Sequence, residues 1–578
     1  MMIESTNIIP PTVYKEKEDW VVCRILEKRA KGHPDREFLQ FECGDPVTYE
    51  ETNICSNKLA RGLKRLGVIS QEEKVMIMLP NCLEYLYLSM AVNKLRSIWV
   101  PVHVAYKGYF LEHVANNCQA RIMVVDQDYL DQVAFSEDKM KYLETIVVWA
   151  KDSLKTETWP QFKRLKSVPF DDLYDKEGDN FDVKPLYYDI ATMAYTSGTT
   201  GPSKGVILPH AYLYSIAEIT RYYMHLTEHD VSHAPLPLFH MASYMFTIYP
   251  SIILGGRAVI YGSFSASQWI EQVRRSRATY TCLVGGMAAY IYNQPVRSDD
   301  AKNDLRVVMS YPTPASIAED FKRRFDIEAM LEGAGQTEAA AYTFMDYNDI
   351  RPGSCGKPTP WYEVRLVDPE TDEEVPGGTL GMMVVRPKIA WCFSQGYLAM
   401  PDETVKSYRN LWFHTGDGFT RDDDGYYFFV DRLKDAIRRR GENISSLEIE
   451  SILNTHPKIN ECAVVAVKSD KAGGEDEIKA CVVLNEEGCL KPEDLLMWCE
   501  QRMPYFAVPR YVCFFKELPK TANLKIQKHK LKELGIEENT WDREREGFML
   551  EEEKKKQNRK KGSSPSSDLT AEGGVGKP

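Results

Sequence analysis

The stretch "YTSGTTGPSKGVILPH", residues 195–210, holds the hydroxyls of Thr196, Ser197, Thr199, Thr200 and Ser203, the glycines Gly198, Gly201 and Gly205, and the ammonium of Lys204. Hydroxyl donors, backbone N–H groups in a glycine-rich turn and one cation are the parts of a phosphate-binding loop. The G-x-x-x-x-G-K-[ST] loop of nucleoside-triphosphate sites is not matched, because Gly205 follows Lys204 where a hydroxyl residue is required. The flanking "IATMAY" and "GVIL" read as strands, so a turn between two strands is expected, with no helix dipole behind it. A plain polar hairpin has the same composition. The remaining residues decide between the two.

Several other residues have side chains suited to chemistry, and each has an ordinary structural alternative. His240, after "APLPLF", reads locally as a satisfied core or loop residue. Glu338 in "GAGQTEA" reads locally as a helix-start carboxylate with Thr337 as the cap. Asp417 in "HTGDG" has the type to accept two ribose hydroxyls, or to make an Asp-Gly turn, as "TRDDDG" does shortly after. Glu448 lies three residues after Ser445 in "SSLEIE", a capping box rather than an acid or base.

These residues need elements to position them. A chain of 578 residues exceeds one hydrophobic core, so at least two domains are expected. From about residue 20 to 185, helices such as "ETNICSNKLARGLKRLGV" alternate with strands such as "KVMIMLP", "SIWVPV" and "ARIMVVD". A second alternating stretch starts at Ile190 and includes "RAVIYG", "ATYTCLVG" and "LRVVMS". Two doubly wound α/β units follow from that pattern. After residue 352, "EVRLVDPETDEEVPGGTLGMMVVRP" reads as short antiparallel strands of a small barrel-like sheet. From "DRLKDAIRRRGENIS" the chain reads as a compact α+β unit, with helices over 446–454 and 492–502. The tail after 545 lacks apolar content and is expected to be disordered.

Net charge of −12 argues against a nucleic-acid partner. Thirteen scattered cysteines without a C-x-x-C pair suggest neither a zinc ribbon nor a disulfide framework, and fit a reducing, cytoplasmic compartment. No signal peptide is read at the N-terminus, and "YLYLSMAVNKLRSIWVPVHVAY" is broken by Asn93, Lys94 and Arg96, so no membrane span is expected. The oligomeric state is left open.

"YTSGTTGPSKGV" resembles the signature loop of the adenylate-forming superfamily of acyl-CoA synthetases, luciferases and peptide-synthetase adenylation domains. The resemblance continues in order through "PLFHM", "GAGQTEA", "HTGD", "DRLKDAIRRRGENIS" and "PKTANLKI", covering roughly residues 20 to 535. "VPVHVAYKG" and "RRRGENIS" look most like carnitine/crotonobetaine-type CoA ligases within it. The resemblance implies an AMP-binding domain over 1–430, a hinge at 431–434 with Lys434 at its centre, a mobile domain over 435–545 and a tail over 546–578.

The implied reaction adenylates a small carboxylic acid with ATP, releases pyrophosphate, and passes the acyl group to CoA. Its first obstacle is an anion approaching a polyanion. Charges about 4 Å apart repel by roughly 4 kcal/mol at an effective dielectric of 20. The resemblance sets Lys204 on the departing phosphates, Arg432 on the nucleotide and Lys525 between carboxylate and α-phosphate, with Mg²⁺ at Glu338. Around the nucleotide it implies Thr196, Ser197, Gly198, Thr199, Thr200, Gly201, Gly333, Ala334, Gly335, Thr337, Asp417 and Phe429. His240 would gate the thiol route. Met241, Tyr244, Met309, Ser310, Tyr311, Ala339 and Ala340 would line the acyl pocket, and Arg438, Arg439, Arg440, Gly441, Glu442 and Asn443 would face CoA, although a solvated helix face suits the arginines as well.

Three departures are visible. Ala334 replaces the aromatic residue that stacks on adenine, "SYPTP" at 310–314 replaces a glycine-rich turn, and Leu524 replaces a glycine before Lys525. Tyr311 is the candidate to compensate for Ala334. The tyrosines would suit a quaternary ammonium; aromatic or medium-chain acids suit the same pocket. Two alternatives to a CoA ligase stay open: an enzyme loading a separate carrier protein, and a non-catalytic nucleotide- or acyl-CoA-binding relative.

Overall fold

Buried apolar runs such as "KVMIM" and "IMVVD" lie side by side inside one of two seven-stranded sheets. The computed structural model describes residues 10–196, 203–284, 287–311, 317–432, 437–439, 442–444, 446–468, 476–519, 526 and 528–555. The first sheet runs Lys166–Pro169, Thr145–Trp149, Ile122–Asp126, Lys74–Met78, Ile98–Pro101, Ile190–Thr196, Lys204–Pro209. The second runs Ala329–Leu331, Val307–Tyr311, Tyr280–Val284, Val231–Ala234, Arg257–Ile260, Glu37–Phe41, Val47–Thr48. Each is parallel except for one antiparallel edge pair.

The two sheets exchange edge strands, which strand–helix alternation did not reveal. Glu37–Phe41, from the first stretch of chain, pairs with Arg257–Ile260; Ile190–Thr196 and Lys204–Pro209, read as the start of the second unit, close the first sheet. Periodicity identifies a strand, but its partner depends on the tertiary fold.

Between the sheets lie helices that are apolar nearly all round, Leu83–Lys94 and His210–Tyr223. The first accounts for "YLYLSMAVNK": at 12 residues it is a core helix, and among the described residues no helix is long and apolar enough to cross a membrane. Its buried Lys94 is neutralised by Glu27 at 2.5 Å. Tyr49–Arg65 packs beside it and begins with a capping box between Thr48 and Glu51.

A four-stranded antiparallel sheet follows: Tyr362–Val367, Gly381–Pro387, Phe413–Arg421, Tyr427–Arg432. Its pairing order is linear, with no pairing between first and last strands among the described residues. Residues 422–425 make its last turn, with Gly425 at φ +84°, as the "DDDG" signal implied.

The C-terminal unit has a hairpin of Ile437–Arg439 and Glu442–Ile444, a helix Ser446–Leu453, a sheet of Ile459–Lys468, Asp476–Leu484, Tyr511–Phe515 and Trp541–Asp542, and a helix Pro492–Glu500. The basic triplet therefore begins on a strand rather than a helix. Ser445, the proposed cap for Glu448, lies outside the described residues. Order also extends past residue 545. Leu550 is fully buried, Phe548 packs against Trp541 and Glu553 pairs with Arg543. Those apolar anchors were hidden in a segment dominated by charge.

This unit seats on the N-terminal one through aromatic rings. His103 lies 4.2 Å from the Phe239 centroid and 4.7 Å from that of Phe506, and Phe110 joins the C-terminal core. Gly108, at φ +54°, lets the chains meet: a Cβ there would lie 3.3 Å from the Arg502 carbonyl oxygen.

Candidate active site

Strands Tyr280–Val284 and Val307–Tyr311 end at a cavity of about 780 Å³, lined by Val284, Tyr311 and the following residues 332–338. A cleft beyond the carboxyl ends of parallel strands is where α/β sheets bind ligands.

One wall is the hairpin that carries the hydroxyl-rich loop. Thr196 and Lys204 are cross-strand partners and both face the cavity, so the loop leaves the sheet at its rim. Ser197, Gly198, Thr199, Thr200 and Gly201 lie outside the described residues, as do Lys434, Arg440, Gly441, Leu524, Lys525 and residues 312–314. Lys204 Nζ sits 2.8 Å from Glu403 Oε2 and 4.8 Å from the Tyr397 ring centroid.

The second wall is the turn Gly333–Ala340. Ala340 N–H donates to the Tyr212 hydroxyl at 2.7 Å, and that hydroxyl donates to the Thr337 carbonyl at 2.9 Å. No helix follows Thr337, so the helix-start reading of Glu338 does not hold. Glu338 is buried, with Oε1 accepting from the Tyr397 hydroxyl at 2.8 Å. Burial, and then the Glu338 charge, push that phenol far above its ordinary range, so it is the donor. Gly333 is required by crowding: a Cβ there would lie 2.6 Å from the Thr343 carbonyl oxygen and 2.7 Å from Tyr311 Oη. Tyr311 thus reaches over the turn beside Ala334, on the same cavity wall.

Asp417 lies within the strand Phe413–Arg421, opposite Arg432, and not in an Asp-Gly turn. Its carboxylate is buried, and Oδ2 accepts from Gln336 Nε2 at 2.5 Å. Phe429, at 46% exposed, is on the cavity and not in the core. For Arg432, Arg438, Glu442 and Asn443 the backbone alone is described.

At the apolar end, His240 caps the one-turn helix Met241–Ser243 and stays exposed on the cavity. The next five residues, Tyr244–Ile248, wind as a π-helix, a feature common at functional sites. Met241, Met245, Phe246 and Ala340 reach the cavity. Four residues assigned to this pocket lie behind its wall. Tyr244 turns into the core, its hydroxyl on Ser89 Oγ at 3.2 Å, and Met309, Ser310 and Ala339 are fully buried. Proximity to a motif in sequence did not specify which way the side chains point.

Arg439 is a further correction. Its side chain is 1% exposed, with Nε 2.6 Å from Glu477 Oε2 and Nη1 donating to the Phe506 and Val508 carbonyls at 2.9 Å. It braces the C-terminal unit and has no surface for CoA.

Sequence reasoning missed Gln336, Tyr397, Glu403, Lys406 and Arg409, all on the cavity. The last four come from "GYLAMPDETVKSYR", which lies outside every motif read. Arg409 is committed to Asp372 at 2.7 Å, and its hydrogen bonds hold that carboxyl well below the usual range.

A Mg²⁺ brought by a triphosphate needs only one or two carboxylates beside phosphate and water oxygens. Glu338 supplies one, so the donor set fits a substrate-borne ion. Among the described residues no group of three His, Cys, Asp or Glu side chains could hold a metal by itself.

The family model for the AMP-binding enzyme matches residues 26–398, and that for the AMP-binding enzyme C-terminal domain matches 448–525. The chain belongs to the AMP-binding enzyme family. A crotonobetaine/carnitine–CoA ligase from Proteus mirabilis is 30% identical over 524 residues, covering 88% of this chain and 98% of its own. Such relatives set this AMP-binding enzyme among the AMP-forming acid–thiol ligases. An anthranilate CoA ligase solved with anthranoyl-AMP superposes with a TM-score of 0.66 at 26% identity, over 89% of this chain and 96% of that one. An o-succinylbenzoate CoA synthetase from Bacillus subtilis, bound to a CoA product analogue, shares the fold with a TM-score of 0.75 at 22% identity, over 88% and 98%.

Proposed function

We propose that this AMP-binding enzyme is an ATP-dependent acyl-CoA ligase with two half-reactions at one cavity. A carboxylate attacks the α-phosphorus of ATP, and pyrophosphate leaves. The thiol of CoA then attacks the acyl carbon, and AMP leaves. Lys204 and the hydroxyl loop take the phosphates, Asp417 the ribose, Glu338 a Mg²⁺ that arrives with the triphosphate, and Lys525 the carboxylate and α-phosphate.

One observation carries the reading. Thr196, Lys204, Thr337, Glu338 and Asp417 share a cavity with Ile444, Phe506 and Ala507 of the C-terminal unit. A nucleotide end and a second-domain mouth at one chamber are what sequential adenylation and thiol transfer need. The hairpin ending in Ile444, which reaches the cavity, supports assignment of this arrangement to the thiol-accepting step.

The apolar end, built from Phe239, Met241, Met245, Phe246 and Tyr311, favours a compact acid with an apolar or cationic body. The test is AMP release by purified protein with ATP, Mg²⁺ and CoA over a panel including crotonobetaine, carnitine, aromatic and medium-chain acids. CoA-dependent AMP formation supports the proposal. AMP formation that needs a carrier protein, or nucleotide binding without turnover across the panel, replaces it.

A further inference from the structure

Lys204 is held by an anion belonging to the chain itself. Its side chain is 13% exposed, and the ammonium lies 2.8 Å from Glu403 Oε2, with the Tyr397 ring beneath it. Glu403 stands on the helix Pro401–Ser407, whose position is fixed to the loop-bearing strand. Leu398 N–H donates to the Gly205 carbonyl at 2.8 Å, Tyr397 bridges to Val206, and Tyr397 N–H donates to Thr404 Oγ1 at 3.0 Å. The carboxylate is therefore delivered to the lysine by packed backbone and not by a free surface rotamer.

A second cation waits one turn away. Lys406 Nζ is 4.0 Å from the other oxygen of Glu403, and both residues line the same cavity. Glu403 is 37% exposed, open enough to change rotamer.

We infer that Glu403 competes with phosphate for Lys204, yielding the ammonium to an incoming triphosphate by turning to Lys406 and reclaiming it when pyrophosphate departs. The inference rests on the reading of Lys204 as a phosphate ligand. Without this carboxylate the site holds polyphosphate more tightly and releases it more slowly. Glu403 is then a positioning residue for product release, acting through Lys204. A purely structural staple would make the opposite prediction, since its loss would loosen the wall and weaken binding.

The experiment measures binding of inorganic pyrophosphate and of ATP with Mg²⁺ by titration calorimetry, with kcat and apparent KM for ATP, in wild type, Glu403→Gln and Asp402→Asn. Asp402 is exposed on the same helix and controls for loss of one negative charge. Glu403→Gln should bind pyrophosphate and ATP about 5-fold more tightly, the equivalent of one partly exposed ion pair. Apparent KM for ATP should fall, and kcat should fall with it through slower pyrophosphate release, while Asp402→Asn leaves affinities unchanged. Equal or weaker binding by Glu403→Gln overturns the inference, and so does an equal gain in Asp402→Asn. Wild-type protein that binds neither ligand overturns the phosphate reading of Lys204 itself, and the inference with it.

Discussion

Tyr397 donates its hydroxyl to Glu338 at 2.8 Å, and the same ring lies under the Lys204 ammonium at 4.8 Å. One side chain thus sets the spacing between the cation assigned to phosphate and the carboxylate assigned to Mg²⁺. Removing the hydroxyl takes a hydrogen-bond donor from a buried carboxylate, a loss of about 1.5–3 kcal/mol for a hydrogen bond to a charged group. Tyr397→Phe should lower kcat/KM for adenylation by about 10-fold or more. Acyl transfer from supplied acyl-adenylate should change little. Pyrophosphate exchange and single-turnover thiolysis check the two halves; equal losses in both would reassign Tyr397 to general packing.

Asp417 is placed by a strand and aimed by Gln336, so its charge can be removed without moving it. Asp417→Asn keeps an oxygen to accept from Gln336 and should leave the melting temperature nearly unaltered. ATP affinity should fall about 10-fold, in line with loss of a charged acceptor for two donating hydroxyls. Calorimetry with ATP and with 2′,3′-dideoxy-ATP checks the assignment, because the analogue should bind both proteins alike.

The fate of Arg439 separates stability from CoA binding. Breaking a buried ion pair from one side costs about 3–5 kcal/mol, because the partner charge stays buried. Arg439→Met should therefore lower thermal stability sharply, and Glu477→Gln in the same chain should restore part of it. Apparent KM for CoA, measured below the melting transition, should be unchanged. A large rise in KM with unchanged stability would return this arginine to the cofactor.

The parts of this molecule that were legible in sequence are those that local chemistry dictates. The strands "IATMAY" and "GVIL" that flank the hydroxyl loop were legible because both are short apolar runs, and they pair antiparallel. Asp417, Glu338 and Lys204 were legible because each lies in a motif that carries the family resemblance, and all three line one cavity. What stayed hidden depends on tertiary partners. No periodicity says that Glu37–Phe41 pairs with a strand more than two hundred residues later, or that Arg439 faces Glu477 rather than solvent. Glu403 and Tyr397 sit in an unremarked segment, and tertiary backbone pairing of that segment with Gly205–Ile207 brings them to the lysine.

Two buried histidines outside the site predict a pH dependence of stability. Burial lowers His210 and His233 from the ordinary imidazole value of 6.5 to about 4. Asp189 opposes the shift at His210, and a hydrogen bond from the His233 ring to the Gln272 amide oxygen opposes it at His233. The unfolded chain takes up protons at these sites before the folded one does. Stability is then fully present above about 6.5 and is lost as pH falls toward 4. His210→Asn should flatten the fall in melting temperature between pH 6.5 and pH 4 relative to wild type. Parallel curves for the two proteins would show that His210 contributes nothing to the slope.

The last prediction separates the two chemical steps by domain. If Lys525 neutralises charge between carboxylate and α-phosphate, Lys525→Ala should abolish pyrophosphate exchange yet still transfer the acyl group from supplied acyl-adenylate to CoA. Ile444 should behave in the opposite way, because it meets the cavity from the hairpin of the C-terminal unit. Ile444→Trp adds bulk where the thiol must enter, so acyl-adenylate should accumulate while pyrophosphate is still released. Its melting temperature must stay within a few degrees of wild type, since Ile444 is also part of the C-terminal core. Opposite failures in two residues of one domain require that domain to present different faces to one acyl phosphate. Both variants losing the same half-reaction would leave the C-terminal unit a single task and remove the need for rotation.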